Sequence, residues 1–183
     1  MTINHVRRPQ CVLMVGLPGS GKTTLSRALE DQGFLRLCPD EEMYRRHGVY
    51  GVDFPRGSFP TLERPVLEET SVELRDHLKA GHDVVVDHGF WTPSERERWR
   101  SIASSAGAAV AMVYLEATHE ELWSRVSKRN AQHEADPNSI YFSEDDLSRY
   151  RRRFVPPEPD EPHLVYDGEP ESVLKELEAP PAP

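Results

Sequence analysis

The sequence predicts an α/β fold in which helices cover both faces of a parallel sheet. Strand-like and helix-like segments alternate about five times along the chain, which is the pattern of this fold class. A continuous apolar run near the start leads directly into a glycine-rich turn and then a helix. The 183 residues suffice for one domain with a single core. We therefore expect one domain over residues 1–178 and a disordered, proline-rich tail over residues 179–183.

The first half of the chain predicts two strand–helix pairs. Residues 11–15 are all apolar, as in a strand buried on both faces, and a helix with apolar residues at helical spacing follows Gly21. Residues 34–38 predict a short second strand, and the helix after it would be capped by Asp40. Residues 48–60 are rich in glycine, proline and aromatic residues and predict a loop long enough to carry function.

The second half of the chain repeats the alternation after a long helix. Its predicted strands are residues 83–87, 110–115 and 163–167. Its predicted helices are residues 62–78, three that begin after helix-start signals at Thr92, Thr118 and Ser143, and residues 171–177. Residues 131–142 are polar and predict a mobile loop.

Composition narrows the classes of protein that the chain can belong to. It is 37% hydrophobic and 29% charged, with a net charge of −9. Its apolar runs are shorter than the about 20 residues of a membrane-spanning helix, and no apolar core of a signal peptide follows the N-terminal charges. We expect a cytoplasmic protein without membrane contact. The acidic charge disfavours a nucleic acid partner without excluding one. Cys11 and Cys38 lie in apolar runs and are expected to be buried free thiols.

Residues 16–23 match the phosphate-binding pattern G-x-x-x-x-G-K-[ST] in full. Glycines allow the backbone to curl its N–H groups inward, and the N-terminus of the next helix adds positive potential. Lys22 would reach the β- and γ-phosphates, and the Thr23 hydroxyl would bind Mg²⁺. The strings that a GTPase switch needs do not occur, which favours ATP. The predicted nucleotide-binding residues are Gly16, Leu17, Pro18, Gly19, Ser20, Gly21, Lys22, Thr23 and Thr24.

Two acidic residues follow predicted strands, at the edge of the sheet where ligands bind. Asp40 follows the second strand and could take a proton from an acceptor hydroxyl, orient that hydroxyl, or serve as a helix cap. Asp87 ends the third strand and could hold Mg²⁺ through water, contact the acceptor, or pair with a loop amide. His88, next to it, is a weaker candidate for substrate contact.

Two groups of side chains could complete a phosphoryl-transfer site. Arg125 and Arg129 share a helical face, and together with the polar loop they predict a lid around residues 125–145 that stabilises the transferred charge. The alternative is a solvated helix face. An aromatic and basic wall around the loop that follows Asp40 could grip an acceptor or simply pack that loop. Its members are Tyr44, Arg45, Tyr50, Phe54, Arg56 and Phe59, with Arg64 as a weaker candidate.

Four strings together resemble the small P-loop kinases. They are the residues at 16–23, 37–40, 85–87 and 125–130. This group includes chloramphenicol phosphotransferase, the zeta toxins, gluconate kinase and the kinase domain of polynucleotide kinase. The resemblance covers roughly residues 10–170 and implies a three-layer, nucleoside-kinase-like fold with strand order 2-3-1-4-5.

The resemblance also implies roles for individual residues. Asp40 matches the general base of the group, and Lys22 and Thr23 match its phosphate and magnesium residues. Asp87 matches the acid that ends the third strand, and either Arg125 or Arg129 matches the lid arginine. ATP with Mg²⁺ would be the phosphoryl donor and a hydroxyl compound the acceptor.

The leading hypothesis is therefore an ATP-dependent phosphotransferase acting on a hydroxyl of a small metabolite or antibiotic. Two other enzymes remain open, a polynucleotide 5′-kinase and a zeta-toxin-like kinase of nucleotide sugars. An alternative of another class is a non-catalytic ATP-binding sensor that binds a protein partner. The sequence does not name the acceptor or the oligomeric state.

Overall fold

A computed structural model describes residues 7–132 and 140–178. The expected tail and the middle of the expected mobile loop lie outside the described residues. The strands are β1 (Gln10–Val15), β2 (Leu35–Leu37), β3 (Val84–Val86), β4 (Ala109–Tyr114) and β5 (Leu164–Val165). They form one parallel sheet in the order β2-β3-β1-β4-β5, as the resemblance implied.

Helices alternate with these strands along the chain. They are α1 (Lys22–Asp31), α2 (Pro39–His47), α3 (Phe59–Lys79), α4 (Pro93–Ser105), α5 (His119–Ala131), α6 (Glu144–Arg153) and α7 (Pro170–Glu178). The predicted caps at Thr92, Thr118 and Ser143 are confirmed, and the last two form complete capping boxes. No helix in the described ranges is both long and apolar enough to cross a membrane.

Strand β1 lies at the centre of the sheet, and all six of its residues are buried. Successive side chains of a strand point to opposite faces, so β1 contributes to two cores. Leu13 and Val15 pack with residues of α3 and α4, including Trp99. Val12 and Met14 pack on the other face with residues of α1 and α7. The long apolar run therefore predicted a doubly covered strand correctly.

Three local predictions differ from the structure. Cys38, not Asp40, is the N-cap of α2, because Pro39 fits the first helical position, where no N–H donor is needed. Asp40 occupies the second position, where its charge favours the helix N-terminus. Helix α3 begins at Phe59, so the loop is shorter than expected. Cys38 is only half-buried, whereas Cys11 is a buried free thiol as predicted.

Arg96 joins two distant segments through hydrogen bonds in the interior. Its side chain is fully buried on α4, and Nε and Nη2 donate to the two carboxylate oxygens of Glu161 over 2.6 and 2.8 Å. Nη1 donates to the carbonyl oxygens of Phe90 and Val155 over 3.2 and 2.8 Å. The segment after β3, which borders the cleft described below, is thereby fixed against the segment after α6.

Glu161→Ala should lower the free energy of unfolding by about 3 kcal/mol, because it leaves the Arg96 guanidinium buried without its counter-charge. Urea denaturation measures the difference. Glu158→Ala, at an exposed position three residues earlier, is the control and should change stability by less than about 0.5 kcal/mol. Equal losses in the two variants would contradict this role for the ion pair.

Candidate active site

The glycine-rich turn lies between the end of β1 and the start of α1. Gly19 and Gly21 have φ angles of +85° and +100°, in the left-handed region that side chains disfavour. A Cβ at Gly19 would also come within 3.0 Å of the Leu122 carbonyl oxygen. In the described part of the chain, no side chain caps the N-terminus of α1. The N–H groups of its first turn, which includes Thr23 and Thr24, are therefore left to a ligand.

The Ser20 hydroxyl is a second feature of the turn that indicates anion binding. Its hydroxyl is buried and has no hydrogen-bond partner within the described residues. A Cβ at Gly16 would lie 2.6 Å from that hydroxyl oxygen, so the turn closes too tightly for a side chain there. A buried hydroxyl without a partner is costly, and an oxygen of a bound phosphate would satisfy it. The turn thus fits a nucleotide phosphate chain.

Lys22 lies beside the turn in surroundings that disfavour its charge. Its Nζ donates to the Leu17 carbonyl oxygen over 3.0 Å. Burial lowers the pKa of Lys22, and the negative charges of Asp87 and Asp40 oppose this effect without cancelling it. Bound phosphates would stabilise the ammonium form, because they bring negative charge to a group that has lost much of its hydration.

Asp87 is buried at the end of β3 and is held through one carboxylate oxygen. Oδ2 accepts hydrogen bonds from Ser26 Oγ over 2.9 Å and from Arg36 Nη2 over 2.7 Å. Within the described residues, no hydrogen bond reaches Oδ1. The sequence left open a pairing of Asp87 with a loop amide. In the structure, Asp87 forms an ion pair with Arg36 instead. Sequence reasoning missed Arg36, whose only signal was a charge between two leucines of β2.

A cleft of about 500 Å³ opens beside Lys22 at the carboxyl ends of the strands. Asp40 and His88 line it together with Lys22, so the acid after β2 lies on the same side of the sheet as the glycine-rich turn. Arg56 also lines the cleft and bonds Asp146 Oδ2 over 2.9 Å. Aromatic residues form much of the remaining wall. They are Tyr50, Phe59, Trp91, Phe142 and Tyr150.

Three predicted substrate residues lie outside this lining. Arg45 forms an ion pair with Glu42 and borders a different depression, between α2 and α3. Arg64 is exposed on α3, because it follows the cleft-facing Glu63 and each residue of a helix is rotated by about 100° from the last. Tyr44 lies one turn further along α2 than Asp40, away from the helix end that reaches the cleft.

Three carboxyl groups and one histidine meet in the cleft, and two of the carboxyl groups were missed from the sequence. They are Asp40, Glu63, His88 and Glu95. His88 Nε2 and Glu95 Oε1 are 3.0 Å apart, and Glu95 Oε2 accepts the Trp91 N–H over 3.0 Å. Burial lowers the pKa of His88, but the bond to Glu95 and the nearby carboxylates outweigh burial and raise it. His88 and Glu95 are therefore held as an ion pair.

Among the residues that the structure describes, the other two acids of the cleft have no such bonded partner. Asp40 is accessible from the cleft, but neighbouring protein removes part of its hydration, and this desolvation raises its pKa against the opposing charges of His88 and Lys22. Burial raises the pKa of Glu63 from 4.5 to about 7; His88 opposes this, and the charge of Asp40 adds to it. Both carboxyl groups are thus poised to exchange protons nearer neutral pH than ordinary acids.

The segment that carries His88 and Trp91 to the cleft has a strained backbone. Phe90 lies between them with φ of +45°, an unusual value for a bulky residue. It is buried edge-to-face against both His88 and Trp99, with ring centroids 5.0 and 5.4 Å apart. A Cβ at Gly89 would lie 2.9 Å from the Gly16 carbonyl oxygen. Close packing against the end of β1 therefore dictates the path of this segment.

The two candidate lid arginines differ in position. Arg125 is exposed on α5, and its Nη1 donates to the carbonyl oxygen of Gly19 over 3.1 Å. Arg129 is half-buried one turn later, close enough for its charge to lower the pKa of both Lys22 and Asp40. Arg125 thus contacts the glycine-rich turn directly, whereas the charge of Arg129 acts on Lys22 and Asp40.

A comparison with known protein families assigns this chain to one of them. A family model described as an AAA domain matches residues 11–157. The chain belongs to this family. The match begins within β1 and ends after α6, so this AAA domain includes the glycine-rich turn and every cleft-lining residue named above.

Individual relatives agree with this assignment. A nucleotide-binding protein of Citrifermentans bemidjiense is 32% identical over 146 residues, which are 77% of this chain and 44% of that protein. The chain thus spans less than half the length of this relative. A candidate kinase of Chloroflexus aurantiacus has a TM-score of 0.74 at 21% identity, covering 93% of this chain and 97% of its own. A gluconokinase of Sinorhizobium meliloti has a TM-score of 0.58 at 17% identity, covering 93% and 90%. The fold is that of the small P-loop kinases.

Glu63→Gln should stabilise the protein above neutral pH. The folded state raises the pKa of Glu63 from 4.5 to about 7, so the wild type loses stability as pH rises through that window, while a glutamine does not ionise. The difference should grow from near zero at pH 4.5 to about 1–3 kcal/mol in favour of the variant at pH 8.

Thermal and urea unfolding at several pH values measure this difference. Glu73→Gln removes an exposed carboxylate from the same helix and is the matched control, for which no growth with pH is expected. A wild type as stable as Glu63→Gln at pH 8 would show that Glu63 is well solvated in the folded state.

Proposed function

We propose that this protein is an ATP-dependent phosphotransferase that moves the γ-phosphate to a hydroxyl of a small metabolite or antibiotic. One observation carries the proposal, namely that Lys22 and Asp40 line the same cleft beside a glycine-rich turn with an uncapped helix N-terminus. A phosphate-binding turn alone accounts for nucleotide binding. The Asp40 carboxyl group, which is accessible from the same cleft and has a raised pKa, adds a group that can act on an acceptor hydroxyl.

The donor end of the site is formed by the turn, Lys22, Thr23 and Asp87. Backbone N–H groups and Lys22 would bind the β- and γ-phosphates of ATP. Mg²⁺ in such sites takes one or two protein oxygens besides phosphate oxygens, which fits the Thr23 hydroxyl and, through water, Oδ1 of Asp87. When bound, Mg²⁺ would neutralise part of the phosphate charge. We assign Asp87 to the magnesium side, because it is buried, its charge acts on Lys22 and it does not line the cleft.

Asp40 would act on the acceptor. As the acceptor oxygen bonds to the γ-phosphorus, its proton passes to the Asp40 carboxylate, and the bond from phosphorus to the bridging oxygen of ADP breaks. The raised pKa of Asp40 makes the carboxylate a stronger base than an ordinary aspartate. His88, held as an ion pair with Glu95, keeps positive charge beside Asp40 and favours the ionised form before transfer.

Asp40→Asn should leave ATP affinity within about threefold of wild type and lower turnover by about 10²–10⁴-fold, because the amide cannot accept the proton. Calorimetry measures ATP binding, and mass spectrometry with labelled ATP across hydroxyl compounds measures transfer. Lys22→Ala should lose ATP binding, and Asp31→Asn, exposed at the end of α1, should behave as wild type. Unchanged turnover in Asp40→Asn would remove Asp40 from the mechanism.

Arg129→Ala should lower turnover by about 10²-fold or more, because a cation whose charge acts on both Lys22 and Asp40 can stabilise the charge of the transferred phosphoryl group. Arg125→Ala removes a cation one turn away that bonds the Gly19 carbonyl oxygen, and it should weaken ATP binding more than turnover. Steady-state kinetics with varied ATP separates the two effects. The reverse pattern would transfer the catalytic role to Arg125.

The name of the Citrifermentans relative supports a second candidate, a nucleotide-binding sensor without catalysis. For a sensor, ATP would bind normally, no acceptor would be phosphorylated, and Asp40→Asn would change neither property. The same calorimetric and mass-spectrometric measurements therefore distinguish the sensor from the enzyme.

A further inference from the structure

Arg36 holds the acid that the proposed function assigns to the magnesium side. The Arg36 side chain on β2 is 7% exposed, and that of Asp87 after β3 is 4% exposed. Nε and Nη2 of Arg36 lie 3.2 and 2.7 Å from Asp87 Oδ2, so both nitrogens meet a single carboxylate oxygen. An arginine commonly bonds the two oxygens of a carboxylate in parallel, as Arg96 does with Glu161. The contact from Arg36 instead leaves Oδ1 of Asp87 without a bond among the described residues.

Asp87 is held at two further points. Its N–H donates to the Leu37 carbonyl oxygen over 2.8 Å, which fixes its backbone to the end of β2. Ser26 Oγ, on α1, lies 2.9 Å from Asp87 Oδ2 and accepts a hydrogen bond from Arg36 Nε over 2.9 Å. The hydrogen bonds described for the carboxylate thus all end on Oδ2. The carboxylate cannot turn without breaking them, and they therefore fix the direction of Oδ1.

The guanidinium of Arg36 is itself fixed on its remaining side. Its Nη1 donates over 2.9 Å to Oε1 of Glu41, in the first turn of the helix α2 that also carries the proposed base. Ser26 lies one turn after Thr23 on α1, and its Oγ is 3.1 Å from the Thr23 carbonyl oxygen. The three nitrogens of Arg36 therefore join both helices to the acid at the end of β3.

The charge of Arg36 does not by itself favour a metal ion beside Asp87. Two positive charges repel, so Arg36 opposes the attraction between Asp87 and Mg²⁺. What Arg36 can supply is orientation, because residues that hold a metal-binding group in place change the metal affinity by about 10–100-fold when they are replaced. The bonds to Oδ2 give that orientation and leave Oδ1 available.

We propose that Arg36 and Ser26 are positioning residues of the magnesium site, which engage Oδ2 of Asp87 and so keep Oδ1 available to water on Mg²⁺. The inference rests on the part of the proposed function that assigns Asp87 to the magnesium side. It does not depend on transfer to an acceptor. It gives a role in nucleotide binding to a residue of β2 that does not line the cleft.

The stimulation of ATP binding by magnesium tests this role. It is the ratio of the Kd for ATP in excess EDTA to the Kd in excess MgCl₂, both measured by calorimetry. Arg36→Lys keeps the positive charge and loses the planar fork. It should lower the ratio by about tenfold, while the Kd in EDTA stays within about threefold of wild type. Ser26→Ala removes one hydroxyl and should lower the ratio by about threefold.

Two further variants separate a positioning role from a merely structural one. Arg27→Gln is the matched control, because Arg27 also approaches Glu41, at 3.7 Å, but its side chain is 60% exposed. It should show the wild-type ratio. In an Asp87→Asn background, Arg36→Lys should lower the ratio by less than about twofold, because its effect passes through Asp87. An effect as large as in the wild-type background would overturn the inference.

Failure of the inference and failure of the proposed function give different results. If Asp87→Asn shows the wild-type ratio, the magnesium assignment fails, and the inference fails with it. If Asp87→Asn lowers the ratio and Arg36→Lys does not, the positioning role is overturned and the magnesium assignment stands. Thermal unfolding shows whether each variant is folded. Should Arg36→Lys not fold, a wild-type ratio in Ser26→Ala overturns the inference in its place.

Discussion

The constraint on which this structure depends is the crowded end of the central strand. Strand β1 is buried on both faces and between two parallel neighbours, so the chain must leave the sheet where almost no volume is free. The Gly16 N–H donates to the Gly89 carbonyl oxygen over 3.0 Å, and neither residue has room for a side chain. This close approach brings the glycine-rich turn and the segment after β3 together. The phosphate site and the acceptor end are therefore parts of one packing arrangement.

Two buried ion pairs extend this arrangement outward. Arg36 and Asp87 join β2 to the end of β3, where the charge of Asp87 acts on Lys22, and thereby fix the donor end. Arg96 and Glu161 fix the segments that carry Trp91 and border α6, and thereby the acceptor end. Buried ion pairs of this kind add little net stability over apolar packing, but loss of one partner leaves a costly charge. We interpret both pairs as determinants of position more than of stability.

The electrostatics of the cleft divide it into two ends. Lys22 and the N-terminus of α1 make the donor end positive, as phosphate requires. At the other end, the carboxyl groups of Asp40, Glu63 and Glu95 lie among cations and aromatic rings, the cations being Arg56, His88 and Arg153. Because the two ends share one cleft, the charge of Asp40 opposes the effect of burial on the pKa of Lys22 and adds to the effect of burial on the pKa of Glu63. Desolvation in this crowded cleft raises the pKa values of Asp40 and Glu63.

The sequence by itself determined the fold class, the phosphate-binding turn and most element boundaries, because apolar periodicity, glycine and capping residues act over a few neighbouring residues. The start of α2 was predicted less well, since proline and aspartate compete for adjacent positions there. Only the tertiary structure decided which side chains meet. Arg36 and Asp87 are 51 residues apart, and Glu63 faces the cleft while Arg64 does not because of the rotation of α3 against the sheet. Such pairings depend on packing between elements, which no local pattern records.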